Sequence, residues 1–186
     1  ETNAKVLVTL KAFPKTDVAE KAEEAIGHAP NVKTVLELDL LRYLTPPKSW
    51  IVPFIRPKFP ISHHAKVLDF NKELAKHRSD ALDFPDATTD RVAAYFHTGG
   101  TTGMPKVAQH RYSGMVYNGW GAEELLLTEQ DVVICPLPLF HVFAAYPILM
   151  AAIGSGSHVV MPTPAGYRGE GVFENFWKLI ERWGGS

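Results

Sequence analysis

Three glycines and three threonines are compressed into residues 98–103, Thr98-Gly99-Gly100-Thr101-Thr102-Gly103, and this run constrains the chain more than any other. An apolar stretch, Val92-Ala93-Ala94-Tyr95-Phe96, leads into it, and Lys106 follows. Glycine carries no Cβ, so the backbone can turn tightly there and come close to a ligand. Threonine hydroxyls and exposed backbone N–H groups donate to phosphate oxygens, and a lysine adds a mobile positive charge. This is the composition of a loop that wraps the phosphates of a nucleotide, although a ligand-free hairpin turn would draw on the same residues. The common P-loop pattern, G-x-x-x-x-G-K-[ST], does not fit. With Gly100 as its first glycine, Pro105 takes the place of the second and Val107 that of the magnesium-binding hydroxyl.

The run resembles, position for position, the phosphate-binding signature of the acyl-adenylate-forming superfamily. That signature is an apolar residue, two variable ones, then small-small-Gly-[Ser/Thr]-[Ser/Thr]-Gly-x-Pro-Lys. Here it reads from Tyr95 through Thr98-Gly99-Gly100-Thr101-Thr102-Gly103-Met104-Pro105 to Lys106, and Val107-Ala108-Gln109-His110 is similar to the strand and histidine that follow it. A second stretch, Pro136-Leu137-Pro138-Leu139-Phe140-His141-Val142-Phe143, resembles the next family motif, a proline-rich turn ending in Phe-His. Alone it would read as an ordinary loop with a structural histidine. The two motifs in this order are specific together.

Composition fits a piece of such an enzyme. With 186 residues, 46% apolar and 21% charged, the chain can bury one substantial core and is not a disordered tail. A net charge of −1 without a basic block gives no reason to expect nucleic acid or an anionic membrane surface as the main partner. One cysteine, Cys135, rules out an internal disulfide and suits a reducing compartment, with the cytoplasm as the default. No apolar run is long enough to span a bilayer. The chain opens at Glu1 on a strand-like segment and closes with Gly184-Gly185-Ser186 behind a helix, which reads as a piece of a longer protein. The later motifs of the family and its small C-terminal domain are absent from the sequence.

The expected fold class is α/β, a mostly parallel sheet flanked by helices, forming part of the large N-terminal domain of an adenylate-forming enzyme. Residues 1–186 are expected to be a single fragment of the AMP-binding domain. Within it, 1–42 reads as a strand–helix–strand unit, 43–90 as a Pro-rich connection and helix, and 91–186 as a phosphate-loop subdomain. A β-rich run at 6–10 precedes a helix opened by a capping box, Asp17-x-x-Glu20, with Val18, Ala22, Ala25 and Ile26 on one face. A second strand at 32–38 predicts parallel pairing. Prolines at 46, 47, 53, 57 and 60 predict an extended, irregular stretch over 43–62, then a helix over 65–77 and a polar linker over 79–90. Strands are expected at 92–96, 107–110, 132–134 and 158–161, and helices at 112–126, 142–153 and about 171–183. The loop should then sit at the carboxyl end of a buried parallel strand.

What the resemblance implies about chemistry comes with it. The parent would be an ATP-dependent acyl-CoA synthetase, activating a carboxylic acid, of fatty or aromatic type, as acyl-AMP and transferring it to coenzyme A. The hydroxyls of Thr98, Thr101 and Thr102, the N–H groups of Gly99, Gly100 and Gly103, and Lys106 would hold the β- and γ-phosphates, with Lys106 and Thr101 weighing on catalysis. His141 and Phe140 would border the acyl pocket, together with Val142, Phe143 and Tyr146. Gln109, His110 and Tyr112 would support the site or serve structure alone. Magnesium would arrive with ATP. His63-His64 invites a metal reading, but adjacent side chains point apart and no further ligand lies nearby in sequence. An adenylation domain loading a carrier protein shares the loop, and a non-catalytic nucleotide-binding module remains the reading from another class.

Overall fold

The computed structural model describes residues 3–77, 80–82, 84–99, 103, 106–163 and 165–186. The chain divides into two compact units, Glu1–Asp86 and Ala87–Ser186.

In the first unit, β1 (Val6–Leu10), α1 (Val18–Gly27) and β2 (Thr34–Leu38) form the expected strand–helix–strand unit, and β1 and β2 pair in parallel with Val6 opposite Thr34. Ile26 of α1 is 1% exposed and packs with Val32, Val35 and Ala65 into one core. The buried face of α1 is set by Ala19 and Ile26, while Val18 is exposed. The capping box does not form. The Asp17 side chain makes no cap hydrogen bond and pairs instead with Lys21 Nζ at 2.7 Å, one turn on.

Two stretches differ from expectation. Residues 43–62 are not irregular throughout, because α2 (Lys48–Ile55) lies within them. Pro47 sits immediately before its first turn, where a missing N–H costs nothing, and Pro53 is carried inside. Residues 65–77 are not one helix. β3 (Lys66–Asp69) joins β2 as a third parallel strand, and only Phe70–Leu74 is helical, as α3. Asp69 makes the switch, since its carboxylate accepts from Lys72 N–H at 2.9 Å and caps α3.

The second unit holds two small sheets. β4 (Val92–His97) and β5 (Val107–Arg111) form an antiparallel pair, and β6 (Val132–Ile134) and β7 (His158–Val160) a parallel one. α4 (Tyr112–Leu126) has the expected bounds. After the turn at 136–141 comes a π-helix, Ala144–Met150, continued by α5 (Ala151–Ser155). The last helix, α6, is Phe176–Trp183, shorter than expected, and stops at Gly184, whose φ of 66° is left-handed. α4 crosses the π-helix at Gly119, where an added Cβ would lie 2.8 Å from Met150 Cβ. The whole is α/β, with parallel pairing in two of the three sheets among the described residues.

Candidate functional site

The Gly/Thr run closes a hairpin. β4 and β5 pair from Val92 opposite Arg111 to His97 opposite Val107, with a bulge between Val92 and Ala94. Just beyond, Thr98 N–H donates to the Lys106 carbonyl at 2.8 Å, and Thr98 Oγ1 donates to the same oxygen at 3.2 Å. These two bonds fasten the base of the loop. The loop therefore stands at the tip of an antiparallel hairpin, not at the end of a parallel strand, because the stretch after Pro105 returns directly alongside β4. β4 alternates half-buried and exposed residues and is not a strand buried on both faces.

Thr98, Gly99, Gly103 and Lys106 are exposed. Lys106 Nζ makes no ion pair among the described residues, so its charge is free to meet an anion. Gly100, Thr101, Thr102, Met104 and Pro105 lie outside the described residues.

The hairpin stem is held by aromatic packing and by one carboxylate. Phe96, His110 and Tyr146 meet edge to face, with ring centroids 5.5, 5.5 and 5.1 Å apart. Tyr146 belongs to the π-helix and is 4% exposed, so this contact ties the segment after the second motif to the strand before the loop. Asp90 accepts from Ser113 N–H at 3.0 Å and Ser113 Oγ at 2.9 Å, capping the first turn of α4 from outside the helix. Those bonds, with Arg111 at 3.3 Å, hold its carboxyl below the usual aspartate range.

The Phe-His turn is built around Pro136 and Pro138. His141 N–H donates to the Pro138 carbonyl at 3.0 Å, and the His141 carbonyl accepts from Ala144 and Ala145 N–H as the next helix begins. His141 Nδ1 accepts from Phe143 N–H at 3.3 Å. In the neutral ring the proton is then on Nε2, which is left as a donor. The turn is braced from behind by Gly166, whose φ is 60°, and by Tyr167 N–H donating to the Pro136 carbonyl at 2.8 Å. A Cβ on Gly166 would run into that carbonyl oxygen.

These parts converge. A cleft of about 380 Å³ is bordered by Thr98 and Gly99 from the loop base, by Phe96 and His110 from the stem, and by Phe140, His141 and Val142 from the turn. Of the expected site residues that are described, Thr98, Gly99, Phe140 and His141 therefore share one cavity. Gly103 and Lys106 do not line it. Phe143 stands 54% exposed outside, and Tyr146 packs behind the wall without forming it. Gln109 and Tyr112 are not on the cleft, whereas His110 is. Phe140 and His141 also border a second cleft of about 480 Å³, lined in addition by Ala165, Tyr167 and Arg168. The sequence reading did not single these out. The bracketing Gly166 and Gly169 were the available signal, since glycines flanking an aromatic and a cation mark a turn that presents both.

Among the described residues no three His, Cys, Asp or Glu gather to hold a metal ion. A magnesium ion is commonly held by one or two carboxylates and the nucleotide phosphates, so the exposed loop suits an ion brought by the nucleotide. His63 and His64 are engaged separately. His63 Nε2 lies 3.2 Å from Glu23 Oε1, and His64 Nε2 lies 2.8 Å from the Val32 carbonyl.

The sequence model of the family described as AMP-binding enzyme matches residues 1–185. Marinolic acid–CoA ligase of Pseudoalteromonas sp. (strain SANK 73390) is 30% identical over 98% of this chain and 26% of its own length. 4-Coumarate-CoA ligase 2 of Narcissus pseudonarcissus is 30% identical over 100% of this chain and 29% of its own. The chain thus spans little more than a quarter of these relatives. Among solved structures, the anthranilate CoA ligase AuaEII in complex with anthranoyl-AMP superposes with a TM-score of 0.66 at 18% identity, over 97% of this chain and 29% of that one. Apo MbtA of Mycobacterium smegmatis gives 0.64 at 23% identity, over 100% and 29%. At these identities the likeness is one of fold.

Proposed function

Because the chain belongs to the AMP-binding enzyme family, we propose that the protein is an acid–thiol ligase. It activates a carboxylic acid with ATP and passes the acyl group to coenzyme A. In the first step a carboxylate oxygen attacks the α-phosphorus, the α–β bridging bond breaks, and pyrophosphate leaves. In the second the thiol sulfur attacks the acyl carbon, loses its proton, and AMP leaves. The observation that supports this reading is the cleft that sets the base of the Gly/Thr loop against Phe140 and His141. A charged polyphosphate tail at the loop and a carboxylate at the turn would then face one another across a few ångströms.

The roles follow from the donors. Gly99, Gly100 and Gly103 N–H groups, the Thr101 and Thr102 hydroxyls and the Lys106 ammonium would neutralise the β- and γ-phosphates as the leaving group forms. The Thr98 hydroxyl already donates to the Lys106 carbonyl, so it would exchange that acceptor for a phosphate oxygen or stay as the clasp of the loop. His141 Nε2–H would donate to the acid's carboxylate. Phe140 and Val142 give the cleft an apolar border, which favours a fatty or aromatic acid over a small polar one.

The test is thioester formation by the full-length protein with ATP, magnesium and a panel of fatty, aromatic and short polar acids, with coenzyme A or a phosphopantetheine carrier protein as acceptor. The proposal predicts ATP-dependent acyl-CoA from apolar acids. Transfer only to the carrier protein would replace the second half of the reading. ATP binding without AMP release from any acid would leave a nucleotide-binding module instead.

A further inference from the structure

From Trp50 onward helix α2 is apolar on every side. Val52, 7% exposed, faces its own unit, while Trp50 and Phe54, four residues apart and so on one stripe, stand 67% and 89% exposed. Ile51 and Ile55 border that stripe at 49% and 56%. A surface helix ordinarily turns charged side chains outward, and an aromatic outward face marks contact with a membrane or a partner.

The charge around the helix separates these two. From Asp39 to Asp69 the chain has no acidic residue, but it carries Arg42, Lys48, Arg56, Lys58 and Lys66. Arg56 is neutralised by Asp39 at 2.7 Å, and Glu23 reaches the end of the stretch at Ser62 and His63, while the other cations form no ion pair among the described residues. Lys48 opens the helix, Lys58 lies just past its end, and both are exposed. Apolar residues separate these cations, which is why a net charge of −1 and the lack of a basic block conceal them. Beyond the helix Phe59 and Ile61 are also exposed. Among the uncharged side chains of α2, only Ser49 and the indole N–H of Trp50 can hydrogen-bond a partner protein.

We propose that α2 and the proline-bracketed stretch up to Ile61 form a docking surface for an anionic lipid bilayer. Trp50 and Phe54 enter the headgroup region, and Lys48 and Lys58 meet the lipid phosphates. Trp is enriched at the headgroup level of a bilayer, and nearby lysines are drawn to anionic lipid.

Sedimentation of the full-length protein with vesicles of phosphatidylglycerol and phosphatidylcholine, against phosphatidylcholine alone, tests this. Binding is expected only to the anionic vesicles and should weaken as salt rises. Trp50→Glu/Phe54→Glu, and separately Lys48→Glu/Lys58→Glu, should each reduce partitioning roughly tenfold or more without moving the thermal midpoint. The proposal is overturned if anionic vesicles are not bound, or if neither pair weakens the binding. It is equally overturned if Trp50→Glu/Phe54→Glu unfolds the protein or changes its oligomeric mass, because the face then packs against protein.

Discussion

His141 shows how much one backbone contact can decide. Phe143 N–H occupies Nδ1, which places the proton of the neutral ring on Nε2 and makes that atom a hydrogen-bond donor at the cleft. His141→Ala should therefore raise KM for the acid about tenfold, the loss of roughly one hydrogen bond to a charged group, and leave KM for ATP near its original value. Steady-state kinetics with each substrate varied in turn would check this. The sequence motif pointed to the histidine but carried no information about its tautomer, which depends on a turn geometry two residues long. For Tyr167 and Arg168 the bracketing glycines marked a turn but not what that turn would reach. These two residues reach the Phe-His turn only because Gly166 adopts a left-handed φ and comes close to Pro136.

Elements were legible where one local rule governed them. β1, α4 and β6 have the expected bounds because apolar runs and flanking turn residues agree there. Legibility failed where a tertiary partner decided. β3 is a strand because β2 offers an unpaired edge, from Thr34 opposite Lys66 to Glu37 opposite Asp69, and a helical pattern at 65–77 could not reveal that edge. The loop was legible as a loop and 107–110 as a short return strand, but the expectation of a mostly parallel sheet hid the antiparallel pairing of that return with β4. The brace behind the second motif gives a prediction at this scale. Gly166→Ala adds left-handed strain of about 1–2 kcal/mol and a clash with the Pro136 carbonyl. It should lower stability by at least that amount in urea unfolding and weaken acid binding together with it, whereas Gly169→Ala lacks the positive φ and should disturb the turn only by running into the Thr163 side chain, whose hydroxyl donates to the Gly166 carbonyl.

At the scale of the molecule, acid sensitivity follows from aspartates lowered by their partners, Asp17 beside Lys21 among them. In Asp90, hydrogen bonds from the Ser113 backbone and hydroxyl lower the carboxyl, and in Asp131 those from Ser186 and Thr128 do so. In Asp39 burial pushes upward, but the Arg56 guanidinium and the Leu41 N–H outweigh it and the net direction is down. A carboxyl lowered in the folded state favours folding fully above its unfolded value. That contribution is lost as pH falls through the folded value, so stability should decline from about pH 4 downward. The thermal midpoint followed from pH 6 to pH 2 should show this fall, and Asp39→Asn should flatten it while costing about 1–3 kcal/mol at neutral pH, because it leaves the largely buried Arg56 without its countercharge and with only the Ala12 carbonyl among these partners.

The central claim, that the loop at residues 98–106 grips the polyphosphate tail of ATP, is tested most directly by ATP–pyrophosphate exchange in the full-length protein. Lys106→Ala and Thr101→Ala should each slow exchange by the equivalent of ~2.7–4 kcal/mol, about a hundredfold to a thousandfold, with folding intact. Exchange at the unsubstituted rate in both variants would contradict it.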